Sequence, residues 1–235
     1  MADLVTCRHV DGVSTISMDD GKANVFSIAM LESLHAAFDD AEQRETVVVL
    51  TGRPGCFSAG FDLNVIRGGP DETVTMLRLG ATLAERILAF PSPVVGACTG
   101  HAFPAGAFLL MAADYRLGVE GPYKLGLNEV RIGLTLPWFA VALARHRLAP
   151  ADFDRAAVTG TMFDPEGARK AGLLDTLVAP AELAEAAGAA AHELVEVDRR
   201  AHAATKLRVR QRVLAELRMA IDDELRTGHP SPADA

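Results

Sequence analysis

Apolar and polar residues are distributed along this chain in blocks that mark out its elements before any motif is considered. Residues 4–8 and Val13–Met18 are rich in β-branched and apolar side chains and straddle Asp11-Gly12, a dipeptide suited to a tight turn. Together they predict a β-hairpin. Ser27 is placed to cap a helix whose Leu31, Leu34 and Phe38 recur on one face. Val47-Val48-Val49-Leu50 is a continuous apolar run, the pattern of a strand covered on both faces, and residues 51–55 follow it as a loop.

The rhythm then repeats. Leu77, Leu83, Ile87 and Leu88 belong to a helical stretch that stops at Pro91, and Val94–Cys98 predicts a second buried strand. A turn with Gly100, Pro104 and Gly106 leads into residues 107–113, which are apolar on every side and so predict a buried helix. Residues 114–119 predict another strand. This strand–strand–helix alternation implies an α/β core of stacked units, with no strict sequence repeat. From about Pro180 onward Ala, Glu, Leu and Arg replace β-branched residues, so residues 187–218 predict a helix with its basic residues crowded into 199–218. The Pro-rich last nine residues predict disorder. The chain thus divides into a core of residues 1–180 and a C-terminal helical region of residues 181–235.

Composition narrows the function classes. With 235 residues and 49% hydrophobic side chains the chain can bury a full core. Its formal net charge of −8 argues against a nucleic-acid or membrane-surface binder, which needs a broad basic patch. No apolar window approaches the roughly 20 residues of a membrane span. The N-terminal residues show no secretory signal, so a cytoplasmic setting is expected. Cys7, Cys56 and Cys98 have no metal-like spacing; they read as packing residues, and no metal is expected.

The chemistry is carried by two small-residue loops, each after a buried strand: residues 56–63 and residues 100–108. Such loops let a ligand approach backbone N–H groups closely, and two of them meeting in space would supply a pair of fixed donors for an oxyanion. The dipole of the buried helix that follows the second loop would add to the effect.

Four strings in order along the chain then resemble the crotonase (enoyl-CoA hydratase/isomerase) superfamily: FSAGFDL, GHAFPAGAFLLMAADYR, GLNEVRIGL and VTGTMFDPEGARKAGLLDTLV. The resemblance covers residues 10 to 180. It implies a crotonase-like stacked β-β-α spiral core with a C-terminal helical region. It also implies an acyl-CoA substrate, no permanently bound cofactor beyond the coenzyme A of that substrate, and a homotrimer or dimer of trimers. Carried onto this chain, it puts the catalytic carboxylate at Glu129. The oxyanion donors fall on the backbone N–H groups of Phe61 and Ala105, with Gly106 as the rival for the second. Substrate contacts fall at Lys22, Ala23, Ala59, Gly60, Asp62, Leu63, Gly106, Phe108 and Asn128.

One departure bears on the reaction. Family hydratases are similar to one another in using two glutamates, and at the second position this chain has Phe108. Side chains on a helix lean toward its N-terminus, so residue 108 would lean back toward residue 105. Phenylalanine can shape an acyl pocket but cannot position water. A single carboxylate suffices to move a proton from C2 to C4 of a 3-enoyl thioester, which favours a Δ3,Δ2-enoyl-CoA isomerase. The alternatives are an enoyl-CoA hydratase with a substitute carboxylate, a non-catalytic acyl-CoA-binding protein, and a hydrolase with Ser58 as nucleophile and His101 as base. Three further sets of residues are open to two readings. Glu129 could instead pair with Arg131 on the surface. Phe57, Phe61, Phe103, Trp138 and Phe139 line an acyl tunnel or pack the core. Arg199, Arg200, Lys206, Arg208, Arg210 and Arg212 meet the phosphates of CoA or form a solvated face.

Overall fold

The computed structural model describes residues 3–226. Sequence patterning accounts for its frame. Strands β1 (Val5–Val10) and β2 (Val13–Met18) pair antiparallel around Asp11 and Gly12, both at positive φ as a two-residue hairpin turn requires. After β3 (Val25–Phe26) comes α1 (Ile28–Gln43), capped by Ser27, whose side chain accepts from the Met30 N–H; Leu31, Leu34 and Phe38 are buried. The chain continues through β4 (Val47–Thr51), β5 (Gly55–Ser58), β6 (Gly60–Phe61), α2 (Leu63–Gly68) and α3 (Pro70–Ala89). Then follow β7 (Val94–Cys98), β8 (Gly100–Ala102) and α4 (Pro104–Ala112). Next are β9 (Tyr115–Val119), β10 (Leu125–Gly126), a single 3-10 turn (Glu129–Ile132), α5 (Trp138–Arg147) and α6 (Pro150–Thr159). The last elements are β11 (Met162–Phe163), α7 (Pro165–Lys170), β12 (Thr176–Val178), α8 (Leu183–Val195) and α9 (Arg199–Arg226).

These elements stack as a spiral. One sheet runs β1-β2-β4-β7-β9-β12, parallel except for the hairpin, and a second runs β11-β10-β8-β5. Three successive turns of chain, starting at β4, β7 and β9, each give one strand to the first sheet and the next strand to the second. Helical segments close each turn, which is the stacked β-β-α arrangement. The continuous apolar strands are buried on both faces: Val48 and Leu50 face the main core, while Val47 and Val49 join a second cluster under α8.

Two expectations are corrected. The C-terminal region is two helices, not one: Asp198 interrupts it, its carboxylate accepting from the Ala201 N–H at 2.7 Å and its carbonyl from the His202 N–H at 2.8 Å, as an N-cap does. The small-residue loops contain short strands, β5, β6 and β8, too brief to show a period. The Pro-rich tail, read as disordered, lies outside the described residues. Among the described residues no helix is long and apolar enough to cross a membrane.

Helix α4 is buried from Ala105 to Ala112, so its carbonyl end must be satisfied inside the protein. Three arginines do this. Arg147 donates to the carbonyls of Met111 and Ala113 at 2.9 Å, Arg210 to Ala112 at 3.3 Å, and Arg116 to Ala113 at 3.3 Å. Asp114 balances them, bonding Lys206 at 2.7 Å and Arg210 at 2.8 Å, and Asp175 pairs with Arg116. Lys206 and Arg210 are therefore buried structural cations, not the CoA-phosphate contacts considered for the basic stretch. Arg199 bonds Glu45 and Ser92, and Arg212 bonds Glu216. Burial pulls the Lys206 ammonium down to about 8 and the Arg147 guanidinium down to about 9. Asp114→Ala strands two buried cations, so we expect a loss of about 3–5 kcal/mol in urea-unfolding experiments. A loss below about 1 kcal/mol would show that the network does not hold α4.

Candidate active site

Three parallel strands deliver the candidate groups. Ser58 on β5, Ala102 on β8 and Leu125 on β10 stand side by side in register. Each strand runs on in the same direction, carrying Phe61, Ala105 and Glu129 out of the same end of the sheet within three or four residues. The outgoing ends of parallel strands are where α/β folds bind their ligands.

The first two segments touch. Gly60 has φ +88°, so a side chain would be strained there, and a Cβ built on it would lie 3.5 Å from the Ala105 nitrogen, which shows how near the two segments run. Asp62 N–H donates to the Phe26 carbonyl at 3.3 Å. Alternation along the strand then turns the Phe61 N–H away from β3. Ala105 is the second residue of α4, so its N–H has no acceptor within the helix. Pro104 before it has no N–H to offer. The Ala105 amide thus lies at the positive end of a buried helix, beside Gly60, and the Phe61 amide follows Gly60 on β6.

Buried polar groups hold this geometry. Ser58 Oγ donates to the Asn24 carbonyl at 2.6 Å and accepts from the Gly60 N–H at 3.1 Å. Asn24, at φ +50°, bonds the carbonyls of Met18 at 3.0 Å and Phe57 at 3.2 Å through Nδ2. These two residues position Gly60, a role that sequence reasoning missed. The signal for Asn24 was its residue type: asparagine tolerates left-handed backbone. Ser58 is fully buried and its hydroxyl is engaged, while His101 Nδ1 accepts from the Lys124 N–H at 3.0 Å. The serine-hydrolase alternative therefore lacks a free nucleophile, and the base it invokes is engaged at Nδ1.

The remaining residues fall into place around this core. Ala59 N–H donates to the Ala23 carbonyl at 2.9 Å, which brings Lys22-Ala23 against Ala59-Gly60, and the Lys22 side chain is exposed. Asp62 caps α2 by accepting from the Asn64 N–H at 2.9 Å, and Leu63 beside it is 43% exposed. Gly106 presses on β5, where a Cβ would meet Ser58 Cβ at 2.9 Å. Phe61, Phe108 and Phe139 form an aromatic row, with ring centroids 6.4 Å and 5.6 Å apart. The Phe61 ring lies over Gly80 of α3, where a Cβ would fall 2.5 Å from it. Phe57 packs in the core, His101 stacks on Phe103, and Trp138 is 60% exposed, its backbone N–H donating to Glu224.

Glu129 opens the 3-10 turn after Asn128, a half-buried residue whose carbonyl accepts from the Arg131 N–H at 3.0 Å. The glutamate is only 7% exposed, and Arg131 is on the surface, so the surface-pair reading fails. Its Oε2 is the one buried carboxylate oxygen without a hydrogen-bond partner among the described residues. Burial raises its pKa from 4.5 to about 7, against a small opposing effect of its own backbone N–H. A carboxyl group in that condition can take up and release a proton near neutrality.

The spiral core and the similarity to known proteins together place the chain in the crotonase superfamily. The sequence matches the enoyl-CoA hydratase/isomerase family over residues 8–230, and the chain belongs to that family. It is 32% identical over 200 residues to a probable enoyl-CoA hydratase of Mycobacterium avium, covering 83% of this chain and 77% of that one. A crystal structure of an enoyl-CoA hydratase/isomerase family protein from Pseudomonas syringae superposes with a TM-score of 0.94 at 43% identity, covering 97% and 99% of the two chains. A Mycobacterium tuberculosis protein described in its apo structure as an enoyl-CoA isomerase superposes at 0.91 and 40% identity, covering 94% and 97%; another structure calls it a probable enoyl-CoA hydratase.

The raised pKa of Glu129 has a stability consequence. An acid whose folded pKa lies above its unfolded value loses stability as pH rises from the lower value to the higher. For a rise from 4.5 to about 7 that loss amounts to about 3 kcal/mol at pH 8. Glu129→Gln should therefore be more stable than the parent at pH 8, by up to this amount, with most of the difference gone at pH 5. Equal stabilities at both pH values would show that the carboxylate is solvated.

Proposed function

We propose that this protein is a Δ3,Δ2-enoyl-CoA isomerase that works with Glu129 as its single acid–base group. The observation that carries this reading is the buried Glu129 carboxyl with its unpartnered Oε2, combined with Phe108 on α4 where family hydratases resemble one another in having a second glutamate. The likeness to a Mycobacterium tuberculosis protein described as an enoyl-CoA isomerase supports it.

The steps follow from the groups in place. The thioester carbonyl oxygen of a 3-enoyl-CoA accepts hydrogen bonds from the N–H groups of Phe61 and Ala105. Glu129 carboxylate removes a proton from C2, and the electron pair spreads over C2, C4 and the thioester oxygen as a dienolate. The two donors stabilise this charge in a water-poor site, by about 3–4 kcal/mol each in comparable enzymes. Glu129, now neutral, returns the same proton to C4, and the double bond settles between C2 and C3. A pKa near 7 suits both halves, because the group must be basic enough to take the proton and acidic enough to give it back. The apolar row Phe61–Phe108–Phe139 offers nothing to orient water, which leaves proton return as the favoured outcome.

Hydration is the second reading, favoured by the description of the Mycobacterium avium relative as a probable enoyl-CoA hydratase. Product analysis with a panel of 2-enoyl- and 3-enoyl-CoAs separates the two: isomerisation conserves mass and hydration adds water. We expect mass-neutral conversion of 3-enoyl substrates, and hydration of crotonyl-CoA at a comparable rate would reverse the order. Glu129→Gln should lower kcat by roughly 10²–10⁴-fold with ligand binding near normal. The base must be ionised, so kcat/KM should climb with pH up to about 7 and then level off. Phe108→Glu should raise hydration relative to isomerisation; an unchanged ratio in a folded, CoA-binding variant would contradict the role given to that position.

A further inference from the structure

The seam between the N-terminal hairpin and α1 holds side chains that the thioester chemistry leaves unused. Cys7 and His9 are two apart on β1, so they share a face. Asp40 reaches the same place from the last turn of α1. One ligand atom from each of the three lies within 4.8 Å of the others, and all three residues are partly open to solvent.

Hydrogen bonds around His9 fix the orientation of its ring. Thr46 Oγ1 donates to the Ala41 carbonyl at 3.2 Å and also bonds Ser14 Oγ. Ser14 Oγ in turn bonds His9 Nδ1 at 2.7 Å. This hydroxyl chain is buried, with Ser14 at 0% and Thr46 at 8% exposure. The other ring nitrogen, Nε2, lies 2.6 Å from Asp40 Oδ2 and shares a proton with it. A metal ion taking the place of that proton finds two ligand atoms already side by side.

We infer that Cys7, His9 and Asp40 form a binding site for a thiophilic divalent cation of the zinc type. The ligands are the Cys7 thiolate, His9 Nε2 and Asp40 Oδ2, with water completing a tetrahedron. The cation replaces the proton shared by His9 and Asp40, and the Cys7 thiol releases its proton to solvent. One dipositive ion against one thiolate and one carboxylate leaves the site neutral. Ligand atoms about 2.0–2.3 Å from zinc lie about 3.3–3.8 Å apart, so the His9–Asp40 pair opens by less than about 1 Å while Cys7 draws in. The outer contacts a metal site needs are present: Ser14 orients the imidazole, and Arg44 Nε holds the Asp40 carboxylate at 3.0 Å.

The test is a Co²⁺ titration of untagged, chelator-treated protein. We expect one ion per chain, tetrahedral d–d absorption and a thiolate-to-cobalt charge-transfer band. Cys7→Ser should abolish that band and weaken Zn²⁺ binding at least about tenfold, while Cys56→Ser keeps both. His9→Gln, which retains the thiol, should lose binding as well and covers the case in which Cys7→Ser fails to fold. A parent protein without the band would mean that the pair holds only a proton, which overturns the proposal. A band that survives Cys7→Ser in folded protein would place the metal on another thiol and overturn it equally.

Discussion

A helix with no polar face can be buried whole, but its two ends cannot, and this constraint organises the molecule. Helix α4 is apolar on every side, so its backbone N–H groups at one end and carbonyls at the other are the only polarity it brings into the core. The carbonyl end is met by Arg116, Arg147 and Arg210, with Asp114 and Asp175 as counter-charges. The amide end is left toward the site, beside Gly60. Because Lys206 and Arg210 belong to α9, the C-terminal helix secures the far end of the helix that offers Ala105.

The sheets supply the other half of the arrangement. Parallel strands in register emit their chains from one edge, and the spiral repeats that emission three times, for Phe61, Ala105 and Glu129. Pairing of backbone sets the spacing, so a residue without a side chain is needed at Gly106, where a Cβ would meet Ser58, and at Gly60 for its positive φ. The carboxyl that emerges third is buried with one oxygen unpartnered, and its raised pKa follows from that burial.

Much of this was legible in the chain. The apolar runs at residues 47–50 and Val94–Cys98, the all-apolar stretch of α4 and the Ser27 cap announced the frame, because burial on both faces leaves an unmistakable local pattern. Family resemblance, not periodicity, pointed to Glu129 and to the roles proposed for the Phe61 and Ala105 amides. What stayed hidden was set by tertiary packing. The short strands β5, β6 and β8 are too brief to show alternation. Asp198 looked like one acid among many until it proved to cap α9. The basic run of α9 suggested a phosphate contact, but two of its members answer the buried end of α4. Cys7, His9 and Asp40 are brought together only by the docking of α1 on the hairpin, and no spacing rule announces that.

The central claim is that Glu129 is a buried carboxyl that stays protonated well above the ordinary range. Infrared difference spectroscopy across a pH titration reads this directly, by following the protonated carboxyl C=O stretch in the parent protein and in Glu129→Gln. The account predicts a band that disappears with a midpoint near pH 7 and is missing from the variant. A midpoint near 4.5, or a pH 7 band that persists in Glu129→Gln, would contradict it.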